Sequence, residues 1–123
     1  MGSRVLVVDD ALFMRNMLKD IFSGAGYEVV GEAANGNEAV EKYRALQPDL
    51  VTMDIVMPER NGIEALGEIL REYPAANVIM CSALGQEALV IQAVETGARE
   101  FIVKPFKEER VLEVIRRVIG PGA

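Results

Sequence analysis

The sequence places one carboxylate, that of Asp54, inside an apolar run that resembles a buried strand. Residues 49–58 read D-L-V-T-M-D-I-V-M-P, a short and mostly apolar run that ends at Pro58. Such a run is typical of a strand that is buried on both faces of a parallel sheet. Asp54 lies inside this run, and an isolated ionised carboxylate is costly to bury. We therefore expect Asp54 at the open end of the strand, where another group can meet its charge.

Five strands alternating with five helices must position this carboxylate. Short β-branched or apolar runs predict strands at 4–8, 28–33, 49–58, 78–81 and 101–103, and apolar residues at helical spacing predict a helix after each strand, the last two over 86–96 and 107–119. This alternation predicts an α/β fold in which helices cover both faces of a doubly wound parallel sheet. We expect residues 1–123 to form a single domain, because their number is ordinary for one domain.

Polar residues gather where the predicted strands end. Asp9 and Asp10 follow the first strand, Asp54 ends the third, Ser82 the fourth and Lys104 the fifth. In open α/β sheets the ligand site lies at the carboxyl ends of the strands. We therefore expect three carboxylates, one hydroxyl and one ammonium group at the same edge of the sheet.

This set of groups suits phosphoryl chemistry. Three neighbouring carboxylates repel one another unless a cation lies between them, and oxygen ligands without His or Cys suit Mg²⁺. A divalent metal, a lysine and a hydroxyl can together hold a phosphoryl group. The sequence has no Walker A loop to bind a nucleotide. A carboxylate can instead accept the phosphoryl group covalently.

Composition excludes several other classes. The formal net charge of −6 disfavours a nucleic-acid-binding domain, which usually carries a basic face. The absence of histidine removes His-based catalysis and His metal ligands. Cys81 is the only cysteine and no apolar run is long enough to span a bilayer. We therefore expect no internal disulfide, no membrane insertion and a cytoplasmic location.

Each polar residue also has a simpler interpretation when it is taken alone. Asp9 or Asp10 could cap the first helix, Lys104 could be a solvated charge, and Ser82 could be a turn residue. These interpretations do not explain why all the acids and the lysine end strands of one sheet. Cys81 is best explained as a small buried apolar residue.

Six short motifs, in this order, carry a family resemblance. They are V-D-D at 8–10, M-D-I-V-M-P at 53–58, N-G at 61–62, S-A at 82–83, G-A at 97–98 and F-I-V-K-P-F at 101–106. The chain resembles the receiver domain of two-component response regulators along nearly its whole length. The resemblance implies a flavodoxin-like fold with strand order 2-1-3-4-5. It also implies a phosphoprotein of two-component (phosphorelay) signal transduction that receives its phosphoryl group from the phosphohistidine of a sensor kinase.

The resemblance assigns a role to each acid. Asp54 would be the phosphoacceptor. Asp10 and Asp54 would bind Mg²⁺ directly together with the backbone carbonyl of Val56, and Asp9 would act mainly through metal-bound water. Catalysis would be limited to the protein's own phosphorylation and dephosphorylation, so the chain would not be an enzyme in the usual sense.

The resemblance also assigns switch residues. Lys104 would pair with the carboxylate and then with the phosphate, and the Lys104–Pro105 bond would be cis. Ser82 would move to hydrogen-bond a phosphoryl oxygen, and Phe101 would change rotamer as space opens behind it. Family members flank the phosphoryl group with the residues that here are Val56 and Leu84. Neither apolar side chain can orient water, so we expect slow self-dephosphorylation.

The fourth predicted helix has apolar residues on more than one face. An inward stripe is predicted at Ala88, Ile91, Val94 and Ala98, which would leave Leu89 and Val90 outside. We expect a partner-binding surface formed by this helix, the fifth strand and the last helix, with Val90 near Phe101.

Within the receiver family, the chain resembles stand-alone chemotaxis regulators. The expected partners are a chemotaxis-type sensor histidine kinase, the flagellar motor switch protein that controls flagellar rotation, and a phosphatase. We expect a monomer. Two related alternatives stay open, a phosphorelay intermediate and a receiver domain of a longer transcriptional regulator. A haloacid-dehalogenase-type phosphatase also uses an Asp nucleophile, but it needs D-x-D where this chain has adjacent Asp9 and Asp10.

Overall fold

The computed structural model describes residues 3–122, in which five parallel strands alternate with five helices. The elements are β1 Arg4–Val8, α1 Leu12–Gly24, β2 Glu28–Ala33, α2 Gly36–Leu46, β3 Leu50–Asp54, α3 Gly62–Glu72, β4 Val78–Ser82, α4 Glu87–Thr96, β5 Glu100–Val103 and α5 Glu108–Ile119. The strand order is β2-β1-β3-β4-β5, which confirms the predicted fold and order. Among the described residues, none of the helices has both the length and the apolar character that crossing a bilayer requires.

Two hydrophobic cores, one on each face, hold the sheet. Helices α1 and α5 pack on one face, where Leu18, Phe22 and Ile115 are fully buried. Helices α2, α3 and α4 cover the other face, where Val40, Leu66 and Ala93 belong to the second core. Every residue of β3 is buried, because the strand has neighbours on both sides and helices on both faces. The apolar run of β3 is therefore explained by its central place.

The helices after β2 and β3 begin at the Asn-Gly pairs that the sequence suggested. The Asn35 side chain accepts a hydrogen bond from the Glu38 amide at 2.9 Å. Asn61 does the same for the Glu64 amide at 2.9 Å, and the Glu64 side chain accepts a hydrogen bond from the Asn61 amide. These caps satisfy amide groups that have no partner inside the helix.

The predicted orientation of α4 is wrong. Ile91 is 59% exposed and Val94 is 50% exposed, whereas Leu89 and Val90 pack against the core. The helix is apolar on almost every side, so hydrophobic spacing alone cannot determine which side faces the sheet. The expectation that α4 leaves apolar surface outside still holds, but different residues supply that surface.

Candidate functional site

The carboxyl ends of β1 and β3 bring three acids together. The two strands are hydrogen-bonded neighbours, with Val8 opposite Met53, so the residues that follow Val8 lie beside Asp54. Carboxylate oxygens of Asp9, Asp10 and Asp54 lie within 4.8 Å of one another. The structure therefore places the three predicted acids in one cluster.

Asp54 is the last residue of β3 and only 6% exposed. Its Oδ2 atom lies 3.2 Å from the Lys104 Nζ atom. Burial, together with the nearby charges of Asp9 and Asp10, raises the pKa of the Asp54 carboxyl to about 6, although the contact with Lys104 acts in the opposite direction. The Asp54 carboxylate is thus held at the end of its strand in surroundings that favour a neutral or compensated group.

Asp9 is fully buried, and each of its carboxylate oxygens has a different neighbour. Oδ1 accepts a hydrogen bond from the Ala11 amide at 2.9 Å in the turn before α1, but no side chain caps the helix itself, whose N-cap residue is Ala11. Oδ2 lies 3.0 Å from Lys104 Nζ, in an ion-pair contact that lacks hydrogen-bond geometry. Asp10, in contrast, is exposed. Asp9 therefore supports the turn that precedes α1 and also belongs to the acidic cluster.

Lys104 lies between two carboxylates at the end of β5. Its backbone amide donates to the Ser82 carbonyl at 2.8 Å, and the Lys104–Pro105 peptide bond is cis. Burial lowers the pKa of Lys104, but the contacts with Asp9 and Asp54 outweigh this effect and the pKa is raised. Lys104 therefore stays positively charged, as a partner for an anion must.

Gly62 supports the loop that carries Val56. The Gly62 amide donates to the Ile55 carbonyl at 2.7 Å, and a Cβ atom at position 62 would overlap the Asp54 carbonyl oxygen. Glycine is required here because the start of α3 approaches the backbone of β3 so closely. The Val56 side chain is 52% exposed.

Ser82 and Phe101 lie in a neighbouring groove. Ser82 ends β4 and is almost fully buried, while Phe101 is half-buried. Both line an open, mostly apolar groove of about 440 Å³, together with Leu84, Val90 and Ile91. Val90 and Phe101 thus line the same groove, and Ser82, the last residue of β4, lines it too.

One contact of the site has no counterpart in the sequence reasoning. Arg15, on α1, donates from Nη1 to the Asp9 backbone carbonyl at 2.6 Å. No motif indicates such a contact, because it depends on how α1 packs beside β1 and β2.

The acidic cluster fits a magnesium ion. All of its donors are oxygen atoms, which are the ligands that Mg²⁺ prefers. Asp9 Oδ2 is buried without a hydrogen bond, so one oxygen could still accept a bond from a metal-bound water. The cluster therefore has the chemistry that the sequence predicted.

Comparisons with known proteins agree on one family. The model of the response regulator receiver domain matches residues 5–116. The chemotaxis protein CheY of Thermotoga maritima is 63% identical over 118 residues, covering 96% of this chain and 98% of that protein. CheY of Bacillus subtilis is 57% identical over 120 residues, covering 98% and 100%. The crystal structure of a CheX-CheY-BeF3-Mg+2 complex from Borrelia burgdorferi has a TM-score of 0.91 at 42% identity and covers 95% of this chain and 89% of that chain.

Proposed function

Because the chain belongs to the response regulator receiver family, we propose that it accepts a phosphoryl group on Asp54 from the phosphohistidine of a sensor kinase. It acts in chemotaxis signalling, as its relatives named CheY do. Residues 1–123 would form one receiver domain. The observation that carries the proposal is the Asp54 carboxylate at the end of β3, with its Oδ2 atom 3.2 Å from Lys104 Nζ.

The contacts of the three acids distinguish Asp54 from the others as the acceptor. Asp9 is fully buried, with Oδ1 accepting from the Ala11 amide and Oδ2 in ion-pair contact with Lys104. Asp10 is exposed and lies outside the contacts of Lys104 described above. Asp54 uses only Oδ2 for Lys104, and no described residue donates a hydrogen bond to its Oδ1. Oδ1 is therefore the oxygen that can attack.

The transfer exchanges one bond for another. The Asp54 oxygen forms a bond to phosphorus while the phosphorus–nitrogen bond of phosphohistidine breaks, and the electron pair stays on the imidazole nitrogen, which takes a proton. Lys104 faces the negative charge that develops on the phosphoryl oxygens, and the Ser82 hydroxyl can donate to one of them after a local movement.

A magnesium ion would be held by Asp10, Asp54 and the backbone carbonyl of Val56, with Asp9 contacting it through water. When bound, it would offset the charge of the carboxylates and of the incoming phosphoryl group. The Borrelia neighbour is described as a complex with Mg+2 and BeF3, which supports a metal at the equivalent place.

The partner-binding surface would be the groove beside Ser82. Phosphorylation would draw Ser82 toward Asp54, Phe101 would follow into the freed space, and the groove on α4 and β5 would change shape. Such a change shifts an existing equilibrium by the difference in affinity for its two states. The expected partners are a chemotaxis-type kinase, the flagellar motor switch protein and a phosphatase, all reached in the cytoplasm by a monomer.

Intact-mass analysis tests the central claim. The protein is incubated with a small acyl phosphate and Mg²⁺, and we expect one added phosphoryl group in the wild type and none in Asp54→Asn. The matched control is Asp20→Asn, the same chemical change on an exposed part of α1, which should be labelled normally. Equal labelling of wild type and Asp54→Asn would refute the proposal.

Peptide binding distinguishes chemotaxis from the related alternatives. A phosphorelay intermediate or a receiver domain of a transcriptional regulator would share the Asp54 chemistry. A peptide from a flagellar motor switch protein should bind more tightly when a phosphate mimic such as BeF3 occupies the site. Binding that does not depend on the mimic would contradict the assignment of that partner and leave the phosphorylation chemistry intact.

A further inference from the structure

Arg15 connects the acidic cluster to the side of the sheet away from the groove. Its Nη1 donates to the Asp9 carbonyl at 2.6 Å, and its Nε donates to Glu32 Oε1 at 2.7 Å. The side chain is only 14% exposed. A planar guanidinium that makes two bonds in different directions is held in a fixed orientation.

Glu32 holds Arg15 in this orientation. Glu32 lies on β2, opposite Val7 of β1, and its Oε2 atom accepts a bond from Lys19 at 2.7 Å. Hydrogen bonds from Lys19 and Arg15 lower the pKa of the Glu32 carboxyl. Glu32 is therefore an anion anchored to the sheet, with two cations of α1 fixed to it.

The carbonyl that Arg15 binds belongs to the peptide unit between Asp9 and Asp10. The amide on the other side of Asp9 donates to the Ala33 carbonyl at 3.0 Å. Among the residues that the structure describes, only Arg15 donates a hydrogen bond to the Asp9 carbonyl. Because the peptide unit is planar, fixing its carbonyl restricts ψ of Asp9 and φ of Asp10 together. These two angles direct both carboxylates.

We propose that Arg15 is a positioning residue of the acidic site, which acts through the Asp9 carbonyl to hold Asp9 and Asp10 in the geometry that binds Mg²⁺. This inference rests on the proposed function, since it requires that the cluster binds the metal. The hydrogen bonds of the Arg15 side chain go to Glu32 and to the Asp9 backbone carbonyl, not to a carboxylate of the acidic cluster. Residues that orient metal ligands in this way commonly change metal affinity by about 10- to 100-fold when they are removed.

When Arg15 is removed, an electrostatic role and a positioning role predict opposite changes in Mg²⁺ affinity. Arg15 is a cation near a cation site, so its loss should tighten Mg²⁺ binding if charge were its only effect. Loss of the carbonyl contact should weaken binding instead. Lys19 provides the matched control, because it is a cation of the same helix with the same Glu32 partner and has no hydrogen bond to Asp9.

The test is a Mg²⁺ titration of the full chain followed by backbone amide NMR signals at residues 9–11. We expect the Mg²⁺ dissociation constant to rise about 10-fold in Arg15→Ala and to stay equal or fall slightly in Lys19→Ala. In the metal-free protein, exchange of the Ala11 amide, which donates to Asp9, should accelerate in Arg15→Ala and not in Lys19→Ala.

Arg15→Lys keeps the positive charge and can still form an ion pair with Glu32. It therefore replaces Arg15→Ala as the test variant if Arg15→Ala fails to fold. A single ammonium group cannot reproduce the two-direction geometry of the guanidinium, so Arg15→Lys should also bind Mg²⁺ more weakly than the wild type. Wild-type affinity in Arg15→Lys, or equal or tighter binding in folded Arg15→Ala, would overturn the inference and leave the proposed function standing. A wild type that binds no Mg²⁺ would overturn both.

Discussion

Replacing Asp54 by asparagine should stabilise the metal-free protein. The carboxyl group is 6% exposed, and burial is the main reason that its pKa rises from 3.8 to about 6. A difference of this size means that the folded state holds the ionised form about 3 kcal/mol less favourably than the unfolded chain does. Asparagine has nearly the same shape and no charge. We therefore expect Asp54→Asn to raise the free energy of unfolding by about 2–3 kcal/mol at pH 7.

The stability that Asp54→Asn gains over the wild type should increase as the pH rises. Because the folded-state pKa of Asp54 is raised, the folded state binds this proton more tightly than the unfolded state does. The contribution of the protonated carboxyl to stability is therefore fully present below pH 4 and is lost as the pH rises through about 6. The difference between Asp54→Asn and wild type should accordingly be small near pH 4 and should reach its full value near pH 7.

Urea unfolding in the presence of a chelator measures the effect. The free energy of unfolding is obtained for wild type and Asp54→Asn across this pH range, with equal slopes against urea as evidence that both unfold in the same way. Asp10→Asn is the matched control, because its exposed carboxylate is already in water and its removal should change stability much less. Mg²⁺ should stabilise the wild type by mass action and stabilise Asp54→Asn less.

Two results would refute this reasoning. An Asp54→Asn variant that is less stable than wild type at pH 7 would mean that Lys104 outweighs the cost of burial. A stabilisation that does not change between pH 4 and pH 7 would mean that the gain comes from packing and not from removal of the buried charge.

Three further changes test other parts of the structure. Val56→Asn should accelerate loss of the phosphoryl group, because an amide can orient water where valine cannot; equal or slower decay would contradict this. Thr52→Val should stabilise the fold by about 1–2 kcal/mol, because the Thr52 hydroxyl is buried without a hydrogen bond; urea unfolding measures this, and destabilisation would show that the hydroxyl has a partner. Gly62→Ala should cost more than about 2 kcal/mol because its Cβ would overlap the Asp54 carbonyl, whereas Gly24→Ala, which meets nothing within 4 Å, should be neutral or slightly stabilising in the same assay.

Sequence reasoning found the acidic site because its members follow strands. The carboxyl ends of parallel strands meet at one edge, so Asp9, Asp54 and Lys104 could be brought together before any distance was known. The run 49–58 overestimated the length of β3, which ends at Asp54. The prediction that Asp54 lies at the end of the strand was nevertheless correct. The cost of burying an ionised carboxylate already required that position.

The orientation of α4 and the contact of Arg15 could not be predicted in the same way. Hydrophobic spacing identifies an inward face only when the opposite face is polar, and α4 leaves Ile91 and Val94 exposed on its outer side. The bond from Arg15 to Asp9 depends on a side-chain direction set jointly by α1 and Glu32 of β2. Both features follow from packing between separate elements, which the residue pattern within one element does not record.

The charge at the acidic cluster relates the phosphorylation site to the apolar groove, because Ser82 ends the strand next to β3 and lines the groove. Phosphorylation adds negative charge to a site that already holds three carboxylates within 4.8 Å, and Lys104 is shared between Asp9 and Asp54. One ammonium group cannot compensate all of this charge, so a phosphoryl oxygen gains most from a further donor. Ser82 is the hydroxyl at the end of the adjacent strand, and it also lines the groove with Phe101. If Ser82 moves toward the phosphoryl group as we propose, the groove that it lines changes with it, and a charge on β3 would reach a surface on α4 and β5.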